Sequence, residues 1–124
     1  MSIDALSNIL LADTFVLAWH QGPDSLTFHV LASLLQTHPA ASPPAPGNWA
    51  CYRPAIIQFS GVSSIHGLLR QGSVRRTTDA EDSVDYGCID SLSLVRPSEY
   101  HIAGEFGEVS VVASGVFVYL AAAA

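Results

Sequence analysis

Apolar residues recur at every second position through most of this chain, and glycine or proline interrupts the pattern every few residues. Period-two alternation belongs to a strand with one buried face, whereas a helix repeats its apolar positions three and four residues apart. In residues 25–33, Leu26, Phe28, Val30 and Ala32 fall on one face and Thr27, His29 and Ser33 on the other. In residues 14–20, Phe15, Leu17 and Trp19 share a face. Gly22, Pro23 and Asp24 make a turn between these runs, so the two read as a hairpin. A helix over residues 25–36 competes, because Leu31, Leu34 and Leu35 also suit helical spacing; the alternation favours the strand.

The same reading carries on down the chain. Residues 38–48 hold five prolines and glycines and form an exposed connection. Residues 50–62 read as a strand with Ile57 and Phe59 on one face and Ile56 and Gln58 on the other. Pro54 has no N–H for a ladder, which places it at an edge or an irregularity. Residues 63–69 form a short strand, and the polar stretch from Arg70 to Asp85 is a loop or hairpin. Residues 86–95 form a strand stopped by Arg96-Pro97-Ser98, and residues 100–106 and 108–120 form two more around Gly107. Before all of these, Ser2 caps one short helix over about residues 3–11, with Ile3, Leu6, Ile9 and Leu10 on one stripe. The expected architecture is one mainly β domain over residues 1–124, an antiparallel meander sheet, curved, with that N-terminal helix on part of one face.

The last strand is apolar on both sides. Val109, Val111, Ala113 and Phe117 lie on one, and Val112, Val116, Val118 and Leu120 on the other. Both sides then need cover from the helix, from sheet curvature or from a second copy. Only 13% of residues are charged, against about 25% in ordinary domains. So sparsely charged a surface favours self-association, and a homodimer is expected.

There is no lysine, and the formal net charge is −6. Nucleic-acid binding needs clustered positive charge, so it is not expected. Charge is also segregated. Residues 1–78 carry Asp4, Asp13 and Asp24 against four arginines; residues 79–108 carry eight acids against Arg96 alone. The start of the chain lacks a basic leader, and no run reaches the roughly 20 apolar residues of a membrane helix. A cytoplasmic protein with two reduced thiols, Cys51 and Cys88, is expected.

Catalytic signatures are missing: there is no G-x-S-x-G, no P-loop, no H-E-x-x-H and no dinucleotide-binding pattern. His20, His29, His38, His66 and His101 form no pair at metal-ligand spacing, so no metal or cofactor is expected. The densest polar feature runs from Arg75 to Gly87. Its arginines can pair locally with its acids, which makes a plain solvated loop. Alternatively Glu81, Asp82, Asp85 and Tyr86 form part of a surface for a basic protein.

The runs YRPAIIQFSGV, DAEDSVDYGCID and GEFGEVSVVA together resemble small bacterial β-rich proteins, some with the character of immunity proteins. The resemblance spans roughly residues 13–119. It implies a β-rich fold, a bacterial cytoplasm and a protein that neutralises another by binding it, and it carries no catalytic residue. The expected function is therefore a non-enzymatic binding protein acting on a protein partner. The alternative is a small-molecule-binding or hydrolytic protein with a pocket inside a curved sheet, lined by Trp19, Tyr52, Tyr86, Tyr100, His29 and His101.

Overall fold

The computed structural model describes residues 3–43, 46, 50–73, 77–78 and 84–121. In chain order its strands are β1 (Phe15–Gln21), β2 (Ser25–Leu34), β3 (Cys51–Ser60), β4 (Ser64–His66), β5 (Thr77–Thr78), β6 (Val84–Asp85), β7 (Ile89–Arg96), β8 (Glu99–Gly104), β9 (Gly107–Val112) and β10 (Gly115–Leu120). They form a first sheet in the order β1-β2-β3-β10, a second in the order β4-β9-β8-β7, and the small pair β5-β6. All pairings are antiparallel. The expected mainly β, antiparallel architecture is what the chain adopts, as two short meanders rather than one.

The core lies between the two sheets. Leu26, Phe28, Val30, Ile57 and Phe59 come from the first; Ile89, Ile102, Val109 and Val111 come from the second, and Phe106 from the turn between β8 and β9. Aromatic rings join the layers: Phe59 meets Tyr100 edge-on at 5.3 Å between centroids, and Phe28 meets Phe106 at 4.8 Å. Such tilted and edge-on pairs set the negative face of one ring against the positive rim of the next.

The strand run over residues 108–120 is really two strands. β9 belongs to the second sheet and β10 to the first, and the chain crosses between them at Ala113-Ser114. Before the crossing the odd residues Val109 and Val111 face the core; after it the even residues Val116, Val118 and Leu120 do. The change of parity looked in the sequence like one strand apolar on both sides. β3 and β4 make the same crossing alongside, through Gly61. The Ser114 N–H donates to Ser60 O at 2.9 Å, and the Ser63 N–H donates to Val112 O at 2.9 Å.

The N-terminal helix over residues 3–11 is corrected to two single turns of 3₁₀ helix, η1 (Asp4–Leu6) and η2 (Leu11–Asp13). Between them Ile9 bridges to Leu34, the Leu10 N–H donates to Ser33 O, and the Leu35 N–H donates to Asn8 O. Backbone that extends the sheet in this way cannot also close helical turns. Ser2 lies outside the described residues.

In β1, Val16 and Trp19 point inward and Leu17 points out, unlike the expected set of Phe15, Leu17 and Trp19. The register with β2 slips between Val16 and Ala18. This extra residue is a bulge, and it turns the following side chains to the other face. Pro54 lies on a central strand, opposite Ala121, where β10 has ended. The Ala121 carbonyl, which finds no N–H on Pro54, accepts a hydrogen bond from Arg53 Nη2 instead.

Candidate interaction surface

The outward faces of the two sheets are built from different residues. On the second sheet the outward rows read Ser91–Ala103–Glu108, Ser93–His101–Ser110–His66 and Arg96–Glu99–Val112–Ser64 across the paired strands. A half-exposed antiparallel sheet normally looks like this, apolar inside and polar outside.

On the first sheet one outward row reads Ala18–His29–Ile56–Tyr119, and the next His20–Thr27–Gln58–Phe117. The β1 bulge adds Leu17 to this face, and Leu17, Phe117 and Tyr119 are 39%, 47% and 54% exposed. Phe117 and Tyr119 stack at 6.4 Å between ring centroids. Leu17, His29, Pro54, Ile56 and Tyr119 border an open depression of about 340 Å³ that crosses all four strands. The face also carries the ring pair of His20 and His29, 5.2 Å apart. Leu17, Ile56, Phe117 and Tyr119 thus gather on a face whose other positions include His20, Thr27, His29 and Gln58, and large exposed apolar patches mark contact surfaces for other macromolecules.

Comparison with protein-family models, with curated proteins and with solved structures finds no match.

The acidic segment takes a different place. Tyr86 is buried at 6% exposure, and its ring meets Trp19 edge-on at 4.9 Å. It therefore serves the core rather than a surface. Its N–H donates to Val16 O, so residues 86–89 run along the free side of β1. Asp85 is half-buried and turns back on its own chain, accepting the Gly87 N–H at 2.8 Å through Oδ1. Glu81 and Asp82 lie outside the described residues. Asp13, Asp85 and Asp90 surround Cys88, whose pKa is raised by burial first and by these carboxylates second. Both cysteines are free.

The side chains expected to line an internal pocket do not converge. Trp19, Tyr86 and Tyr100 are packed in the core, with Trp19 Nε1 donating to Leu69 O at 2.9 Å. Tyr52 and His29 lie on the outward side of the first sheet, and Tyr52 donates its hydroxyl to Asp13 Oδ2 at 2.7 Å. His101 lies on the outward side of the second. Among the described residues no three His, Cys, Asp or Glu side chains gather as a metal site would need. No helix among them is long and apolar enough to cross a membrane.

Proposed function

We propose that the chain is a non-enzymatic binding module that docks a protein partner on the outward face of its first sheet. The contrast between the two sheets carries this reading. The outward rows of the second sheet are mostly polar, with Val112 among them and Val95 of β7 50% exposed, whereas the first sheet gathers Leu17, Ile56 and Tyr119 around one depression, with Phe117 stacked on Tyr119. An immunity-like role, expected from the resemblance, agrees with a module whose action is to cover another protein's surface. The free thiols Cys51 and Cys88 support a reducing compartment such as the cytoplasm. Glu99, Glu105 and Glu108 sit on the second sheet and its turn, away from the apolar face. Glu99 pairs with Arg96 at 3.5 Å, so the apolar face and not these acids holds the partner.

The test is affinity capture from the native host with wild type, Leu17→Glu and Ser93→Glu. Leu17 lies at the margin of the apolar depression, so a charge there should release the captured partner. Ser93 is on the other sheet and its variant should retain it. The triple variant Glu81→Gln, Asp82→Asn, Asp85→Asn should slow capture at low salt only. Retention of the same partner by Leu17→Glu with unchanged affinity would refute the docking face.

A further inference from the structure

We infer that two copies of this chain associate edge to edge through β10, joining their first sheets into one continuous eight-stranded sheet. The inference rests on backbone and register; Phe117 and Tyr119 belong also to the docking face proposed above, whereas Leu17 belongs to that face alone.

A sheet edge presents unpaired N–H and C=O groups, and monomeric proteins guard such edges with charge, bulges, brevity or cover. Three of the four edges here are guarded. Residues 86–89 bond along β1: the Val16 N–H donates to Gly87 O, and the Tyr86 N–H donates to Val16 O. β4 has three residues. β7 carries two register shifts and the exposed charges Asp90 and Arg96.

Among the described residues β10 carries none of the charge, bulge or brevity that guards the other edges. It holds six residues, Gly-Val-Phe-Val-Tyr-Leu, with no charge and no proline. Its register with β3 is unbroken from Gly115 to Leu120. η1 packs near it, but the backbone bonds within and just after η1 are local ones, from Leu6, Ser7 and Ile9 to Ile3, Asp4 and Leu6. Among the described residues no strand pairs with the outer side of β10.

The pattern of free groups follows from one hydrogen bond. The Ala121 N–H donates to Pro54 O at 2.8 Å, so that position faces β3. In an antiparallel ladder bonded positions alternate. Phe117 and Tyr119 therefore bond to β3, and the peptide groups of Val116, Val118 and Leu120 point outward.

A second copy satisfies them by two-fold pairing centred on Val118. Val118 then faces its own copy, and Val116 faces the partner's Leu120. All three outward residues are used, giving about six new hydrogen bonds. Phe117 comes directly opposite the partner's Tyr119, a cross-strand aromatic pair formed twice. An isologous contact of this kind closes at two copies. In a chain of net charge −6, β10 is also a segment that brings no carboxylates together when it meets itself.

Sedimentation velocity should show a monomer–dimer equilibrium, mostly dimer at several hundred micromolar. Phe117→Lys/Tyr119→Lys places like charges opposite each other and should give a monomer. Phe117→Glu/Tyr119→Glu should do the same. Mixing the two should restore a dimer, because each lysine then faces a glutamate. Val95→Lys on β7 should leave dimerisation unchanged. Amide exchange at Val116, Val118 and Leu120 should slow as concentration rises, while Phe117 and Tyr119 stay protected throughout. A wild-type monomer at high micromolar concentration, a mixture that fails to reassociate, or a dimer lost in Val95→Lys would overturn the inference. Leu17 lies on the strand at the opposite edge, so Leu17→Glu can lose its partner while still dimerising, which separates the two claims.

Discussion

Among the described residues, Cys88 has surroundings that clearly alter its chemistry. Burial first, and then the carboxylates of Asp13, Asp85 and Asp90, hold its thiol above the usual cysteine range. Both causes disfavour the thiolate. In the unfolded chain the thiol loses its proton near its ordinary value of about 8.5, while in the folded chain it keeps it to higher pH. The folded state then binds more protons, so stability is level below that value and falls as pH rises through it. Wild type should lose more of its urea midpoint between pH 8 and pH 10 than Cys88→Ser does. Alkylation of Cys88 at pH 8 should be slower than that of an ordinary exposed cysteine, and faster in Asp90→Asn. Parallel pH profiles for wild type and Cys88→Ser would contradict this assignment.

At the level of elements, the paired crossings from one sheet to the other hinge on Gly61. Its φ is +62°, and a Cβ there would meet Ser114 Oγ at 2.3 Å. A side chain in the left-handed region costs about 1–2 kcal/mol. Gly61→Ala should therefore destabilise by about that amount in urea unfolding. Gly72→Ala, whose added Cβ meets none of the described residues within 4 Å, should stay within about 0.5 kcal/mol of wild type. Equal midpoints for the two variants would remove the hinge role.

The sequence was legible where one rule acted alone. β2 and β3 alternate cleanly, and their inward faces were readable from Leu26 to Phe59. In β1 Val16 and Leu17 are both apolar, so nothing in the residue types marks which one the bulge leaves outside. The crossing at Ala113-Ser114 was hidden because a shift of parity and a two-faced strand give the same string. The first residues looked helical on their own; pairing of residues 8–10 with the end of β2 decided otherwise, and that pairing is a tertiary event. Tyr86 was assigned to a surface by its acidic neighbours, yet Trp19, distant in sequence, draws it into the core. The apolar exterior of the first sheet was partly visible, in Ile56 and in Phe117. Its contrast with the second sheet needed the pairing register.

For the whole molecule, the asymmetry of the sandwich ties the account together. One sheet faces solvent mostly with serine, histidine and glutamate; the other sets leucine, isoleucine and aromatic rings among histidine, threonine and glutamine and ends in a strand without charge or bulge. The most direct measurement is residue-resolved amide exchange of the wild-type chain, alone and saturated with the partner that capture retrieves. New protection is expected in β2, β3 and β10 of the first sheet, with β7 and β8 unchanged. Protection confined to β7, β8 and the acidic segment would contradict it.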